Sequence, residues 1–340
     1  MKQSLTDRLN PTAEQKAQML RRIREKYGTT PAARPRSKHW RTALACAAVC
    51  ALIGTSAFAA VSMGLADGLR DFLHPATPEQ EELLAQGAYV VNRKDSNKNG
   101  TLAVKQVVGD SNLVYLLLEF TAPEGTVLDQ DGYRFSGELK AGQQTTGSGF
   151  VKMEDDDASD NQITLVMSEP TRQPVAGKRA VLELYDLEGA DMGEAYETVV
   201  PGSWSVSFPL DFADCSVTYT IDQTVPVQGY DVTLQSISVS PLSIAIHATS
   251  PYTRQISSAL DARYAPYSDD SPRWFPITIQ YADGTSETAP NTATGRMGSM
   301  SEMNHLSGDI FDVITFSDLI NTKEIRSIEF CGTEILLTQD

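Results

Sequence analysis

The sequence predicts a mainly β chain. It reads as a short cytoplasmic helix, one transmembrane helix, then two antiparallel, immunoglobulin-like β-sandwich domains outside the membrane. Three observations predict this. Residues 1–41 hold 11 Lys and Arg against 3 acids, a local charge of +8. The rest of the 340-residue chain holds 17 basic and 41 acidic side chains, a charge of −24. Between the two, residues 42–66 carry no charge in 25 positions. Beyond about residue 88, short runs of β-branched and aromatic residues recur between Gly, Pro, Asn and Asp. At 41% hydrophobic and 8% aromatic the chain can bury real cores, so global disorder is excluded. Four Cys are too few for a disulfide-dense scaffold. The acidic total argues against non-specific nucleic-acid binding by the bulk of the chain.

The basic tail comes first. Asn10-Pro11-Thr12 has a polar cap and an early Pro, a helix start. Met19, Leu20, Ile23 and Tyr27 then fall at i, i+1, i+4 and i+8, one narrow apolar face of a basic amphipathic helix that Gly28 ends. These four are the candidate partner-binding residues. The plainer reading is a charge cluster that fixes topology, and contact with anionic lipid fits either. A linker rich in Pro, Ala and Arg follows.

The uncharged run, residues 42–66, would span roughly 37 Å as a helix, enough to cross a bilayer. Arg34, Arg36, Lys38 and Arg41 precede it and Asp67 ends it. Positive residues stay inside, which places the tail in the cytoplasm and the acidic remainder outside a cell membrane crossed once. Trp40 sits where an interfacial aromatic would. Ala57-Phe58-Ala59 is also a signal-peptidase pattern, so cleavage stands as the competing reading. The 41 residues before the run exceed a usual signal n-region, which favours the uncleaved anchor. Cys46 and Cys50 inside the run read as small packing residues.

Residues 67–87 read as a helical stalk, broken at Pro75 and Pro78, with a second short helix starting at Thr77. Strand-like runs follow at 101–108, 113–121, 133–139, 163–167, 180–187 and 204–210. More lie at 217–221, 232–239, 244–249, 275–281 and 325–330. Alternation is clear in Ser216-Val217-Thr218-Tyr219-Thr220-Ile221. Such spacing points to antiparallel sheets packed as sandwiches. A boundary at Pro209 and the acidic stretch to Asp214 divides a first β domain, 88–210, from a second, 211–340.

Chemical motifs are few. Asp95, Asn97, Asn99 and Gly100 match positions 1, 3, 5 and 6 of a calcium loop, but position 12 is Gln106, which cannot supply the closing carboxylate. Asn99-Gly100 is a turn signal by itself. Asp95, Asn97 and Asn99 are weak metal candidates, and no metal or cofactor is expected. Glu154 to Asp157 with Asp160 reads as a solvated acidic loop. His39, His74, His247 and His305 are scattered, and Gly147-Ser148-Gly149 is a turn rather than a nucleotide loop. No motif sets a nucleophile beside a base, so no enzyme activity is expected. Cys215 and Cys331 are expected to be free thiols, with a bridge between them as the alternative.

Several strings carry a family resemblance. They are Asp110-Ser111-Asn112-Leu113-Val114-Tyr115 and Thr121-Ala122-Pro123-Glu124-Gly125, then Trp204-Ser205-Val206-Ser207-Phe208-Pro209-Leu210. Ile237-Ser238-Val239-Ser240-Pro241-Leu242-Ser243-Ile244 and Ile325-Arg326-Ser327-Ile328-Glu329-Phe330-Cys331-Gly332 complete the set. With the basic tail and the uncharged run, the chain resembles the DUF4179 proteins of Firmicutes, over most of its length. That resemblance implies a membrane-anchored, anti-sigma-like regulator with an extracytoplasmic β-sandwich. Two functional expectations stand. One is an envelope signalling protein that senses a ligand or envelope component outside and holds a cytoplasmic sigma factor through its tail. The other is a surface-anchored binding or structural module with no cytoplasmic partner.

Overall fold

The computed structural model describes residues 65–142, 148–154, 160–264, 273–290 and 297–337. Two short helices open this stretch. In α1 (Asp67–Leu73) the preceding Ala66 is extended, and its N–H donates to Gln106 Oε1 at 2.8 Å. The helix stops at His74, whose φ of 47° is left-handed. In α2 (Pro78–Gly87) Thr77 Oγ1 accepts from the Gln80 N–H at 3.3 Å. Pro78 sits in the first turn, where a missing N–H costs nothing. Both helices occupy the stretch read as a stalk, with Leu69, Leu73 and Leu84 buried.

Four antiparallel sheets make up most of the rest. Sheet A runs β1 (Tyr89–Asn97), β2 (Gly100–Gly109), β3 (Leu113–Thr121), β6 (Gln162–Pro170), β5 (Gly149–Lys152). Sheet B runs β4 (Gly132–Lys140), β7 (Arg179–Ala190), β8 (Glu197–Pro209). Sheet C runs β14 (Met300–Met303), β15 (Asp309–Ile314), β11 (Ile244–Thr249), β10 (Tyr230–Val239), β9 (Val217–Val227). Sheet D runs β13 (Ser286–Thr288), β12 (Ile277–Tyr281), β16 (Ile325–Phe330), β17 (Thr333–Leu336). A third helix, α3 (Thr253–Tyr264), follows β11 and buries Ile256 and Leu260 against sheets C and D.

Side-chain parity explains the stacking. On β3, Val114, Leu116, Leu118 and Phe120 face sheet B, packing with Phe135, Leu182 and Trp204. The alternate residues Leu113, Tyr115 and Leu117 face the other way, toward Ala245, Phe311 and Val313 of sheet C and toward α1. On β15 the opposite face carries Ile310 and Ile314, which pack with Ile277, Ile328 and Phe330 of sheet D. Sheets A and C are thus covered on both faces, so β3 reads as a continuous apolar run rather than an alternating one. The layer order is B, A, C, D, with a core in each of the three gaps. Two strand pairs turn on X-Gly dipeptides with both residues at positive φ: Gln228 (51°) and Gly229 (82°) join β9 to β10, and Cys331 (50°) and Gly332 (84°) join β16 to β17. The two-residue mirror-image turn requires that backbone.

This arrangement corrects the expected architecture. Sheet pairs A/B and C/D each enclose a core as sandwiches do, but the A–C core joins them into a four-layer stack in place of two immunoglobulin-like units. Among the described residues no helix is long and apolar enough to cross a membrane. The helices have 7, 10 and 12 residues, hence lengths of about 10, 15 and 18 Å against a hydrocarbon core of about 30 Å. The transmembrane helix expected at 42–66 is corrected accordingly. Its last two residues do not continue a span: Leu65 is buried in the A–C core and Ala66 is the extended cap of α1. The remaining residues of that run lie outside the described ones. The single-pass cell-membrane location, with the tail inside and the β region outside, is withdrawn with the helix. The membrane and anti-sigma readings that rested on that topology are left without structural support.

Candidate functional site

The sheet edges differ sharply in how they end. Sheet A's terminal β1 lies against β8, where Asn97 Nδ2 donates to Ser203 O at 2.9 Å and the Ser205 N–H donates to Asp95 Oδ2 at 2.9 Å. Its other terminal strand, β5, is four residues long and meets β4 through Phe150 and Phe135, with ring centroids 6.1 Å apart. The terminal strands of sheet B, β4 and β8, are long, at 9 and 13 residues, but are the ones that meet β5 and β1. In sheets C and D, β13, β14 and β17 have only three or four residues each. The terminal strand β9 is unlike all of these. It has 11 residues, pairs only with β10 among the described residues, and carries a single charge, Asp222.

Val217, Thr218, Thr220 and Asp222 to Thr224 are exposed, while Tyr219 and Ile221 pack in part on the C–D core. Regular pairing with β10 runs from Val217 to Thr220, and a bulge then intervenes before Gln223. Asp222 takes a left-handed φ of 49° at that bulge. Near the far end Pro226 removes a donor. Bulge and proline blunt the second half of the edge, leaving residues 217–221 as the part able to pair.

The start of β9 is fixed by two turns that clasp each other. The β2–β3 turn is an Asx turn, in which Asp110 Oδ1 accepts from the Asn112 and Leu113 N–H groups at 2.8 and 2.7 Å. The β10–β11 turn copies it with Ser240 Oγ, which accepts from the Leu242 and Ser243 N–H groups at 3.0 Å each. The two meet at Asp110 Oδ2, which receives the hydroxyls of Ser240 (2.5 Å) and Ser243 (2.6 Å). Next to it, Ser111 donates its hydroxyl to Asp214 Oδ2 at 2.6 Å and its N–H to Ser216 Oγ at 3.0 Å. The clasp thus ties the residue before β9 to sheet A. Burial pushes the Asp110 carboxyl up to about 6, against the opposing pull of the Ser240, Ser243 and Asn112 hydrogen bonds, and nearby Asp214 adds to the rise. A cavity of about 20 Å³ beside the clasp is lined by Leu83, Leu84, Gly109, Ala213, Cys215 and Leu242. It holds about one water, far below the roughly 300 Å³ of a small-molecule pocket.

A second buried carboxylate lies inside the C–D core. Asp312 shares the inward face of β15 with Ile310 and Ile314, and Arg273 Nη2 donates to its Oδ1 at 2.8 Å. Ser301 Oγ donates to the same oxygen. The pair's side chains are 2% and 0% exposed. Burial raises the Asp312 pKa, and Arg273 and Ser301 oppose the rise. Cys331, in the turn after β16, has its thiol pushed up to about 12, first by burial and then by the charge of Asp312. Sequence reasoning missed this pair. The one available signal is a lone acid inside the apolar stretch Ile310-Phe311-Asp312-Val313-Ile314, and its partner Arg273 is 39 residues upstream.

The residues singled out from sequence fall in separate places. Asp95 and Asn97 brace β1 against β8, and Asn97 Oδ1 accepts from the Asn99 N–H at 2.7 Å across the β1–β2 turn. Their oxygens are committed to strand docking and turn formation. Among the described residues no group of three or more His, Cys, Asp and Glu is placed to hold a metal ion. Neither Cys215 nor Cys331 is in a disulfide. His247 is half-buried with its ring centroid 4.5 Å from that of Phe311, and burial, with Arg172 nearby, holds its pKa below the usual imidazole value. Met19, Leu20, Ile23 and Tyr27 lie outside the described residues.

No family model matches the chain, and no curated protein does. Among solved structures it is similar to a conserved domain protein from Bacillus anthracis, at 12% identity and a TM-score of 0.47, over 71% of this chain and 75% of that one.

Proposed function

We propose that the protein is a non-catalytic binding module whose stacked sheets present the β9 edge to an extended segment of a protein partner. The observation that carries this reading is the one-sided pairing of residues 217–221 in a molecule whose other sheet edges are short or backed. An unpaired strand offers a row of N–H and C=O groups, and a strand added there gains main-chain hydrogen bonds. Side chains set the preference: Thr218 and Thr220 on one face, Val217, Tyr219 and Ile221 on the other. The preferred segment alternates β-branched and aromatic residues. The clasp supports the reading, because it fixes the start of the strand and lowers the ordering cost of binding.

The test is a selection of displayed random peptides on the immobilised full chain, followed by hydrogen–deuterium exchange with a selected peptide bound. The expected result is new protection of the amides in 217–221. Peptides that protect other segments, or a selection that enriches none, would overturn the proposal.

A further inference from the structure

We infer that one occupant of the β9 edge is a second copy of this chain, paired antiparallel about a two-fold axis that passes beside Tyr219. This deepens the binding reading above and rests on it. A two-fold axis normal to the sheet keeps each residue on its own face, so only registers that oppose residues of the same parity are allowed. Centring on Tyr219 opposes Val217 to Ile221 of the second copy and Thr218 to its Thr220. Tyr219 meets its own counterpart. Each is a favoured cross-strand pair: β-branched with β-branched, Thr with Thr, aromatic with aromatic. Asp222 falls opposite Ser216, so no like charges meet.

Moving the centre to Thr218 would set Asp214 opposite Asp222, like charges in direct opposition. Moving it to Thr220 sets Thr218 against Asp222 and Tyr219 against Ile221, leaving one Thr–Thr pair in place of two. The Tyr219 register is therefore selected by the sequence of the strand itself. The product joins two five-stranded C sheets into one continuous sheet. The N–H and C=O groups that β9 leaves open are satisfied in both copies.

Size and charge set the strength. A five-residue strand pair falls short of the roughly 1,200 Å² buried by a stable interface, so dissociation is expected at micromolar concentration or above. Each chain carries a net charge of −16, and that repulsion weakens association at low salt. Raising the salt to about 0.3 M should strengthen the dimer, opposite to an interface held by ion pairs.

The experiment is sedimentation of the full chain over a concentration series, with two double variants at exposed positions. The wild type should show a concentration-dependent monomer–dimer equilibrium. T218K/T220K sets like charges opposite each other twice and should raise the dissociation constant by about tenfold or more. T218K/T220E sets opposite charges in both pairs and should restore dimerisation. Circular dichroism of both variants verifies that they fold. A wild type that stays monomeric throughout would overturn the inference and leave the peptide selection to decide the wider reading. Equal dimerisation by wild type and T218K/T220K would move the interface elsewhere. Failure of T218K/T220E to recover would reject the register.

Discussion

The A/B half of the molecule closes on itself, and the C/D half does not. In the first, β1 is braced by β8 and β5 meets β4, so nearly every long edge has a neighbour. Its core is aromatic and aliphatic, with Phe120, Phe135 and Trp204 in edge-to-face contact at 5.0 to 5.8 Å between ring centroids. In the second, β9 is left long and open, and the core contains the Arg273–Asp312 pair. The proposed binding surface falls on the half whose terminal strand β9 has a described partner on one side alone. Sandwich packing alone does not make the distinction, since both halves have it.

The largest expected effect breaks the buried pair. Arg273→Ala leaves the Asp312 charge unpartnered in an apolar core and should destabilise by about 3–5 kcal/mol in a denaturant titration. R273M/D312L, which removes both charges and fills their space with apolar side chains, should regain most of that loss or exceed wild-type stability. Equal damage by the single and double variants would mean that the pair acts through its shape and not its charge. In the A/B core, Leu116→Ala should cost about 2–5 kcal/mol through cavity formation, and no compensating partner change should recover it.

The next effect concerns the clasp between the halves. The folded-state pKa of Asp110, about 6, lies above its unfolded value near 3.8. The folded chain therefore holds this proton more tightly. The stabilisation is fully present below about pH 4 and is lost as pH rises through about 6, an amount of roughly 3 kcal/mol. Asp110→Asn removes the titration. Denaturant titrations at pH 5 and 7.5 should show a smaller loss of stability with rising pH in the variant than in the wild type. Identical pH profiles would contradict the burial argument.

The smallest stability effect is expected at the edge itself. T218K/T220K lies at exposed positions and removes one hydrogen bond, Thr218 Oγ1 to Ser238 Oγ at 3.2 Å, so it should lower the unfolding free energy of the monomer by no more than about 1.5 kcal/mol, even as it weakens association. A large loss of stability would show that these threonines serve the fold instead.

Many of the strand positions were legible in the sequence, because apolar runs bounded by Gly, Pro, Asn and Asp mark strands wherever burial is regular. The runs at 113–121, 217–221 and 325–330 all lie within strands. β15 was hidden because Asp312 interrupts its apolar run, and β1 because Asn92 to Asn97 are polar and its end, from Asp95, belongs to the string that resembles a calcium loop. α3 was hidden by Arg, Gln, Ser and Asp, which leave Ile256 and Leu260 as its buried face. The A–C stacking was not legible either. A run buried on both faces does not say which sheet covers the second face. The turn strings at Asp110 and Ser240 were each visible as turns, but 130 residues separate them, and only the fold brings their hydroxyls and carboxylate together. The uncharged run before Asp67 suggested a span because composition cannot distinguish a membrane helix from a segment whose final Leu65 belongs to a protein core.

The most direct measurement is amide hydrogen–deuterium exchange of the full chain at low and high protein concentration, comparing β9 with β1. If the open edge is the binding surface and a second copy fills it, amides in 217–221 gain protection as concentration rises, while those of β1 stay constant. Exchange in 217–221 that is independent of concentration, or protection that rises equally on both strands, would contradict the account.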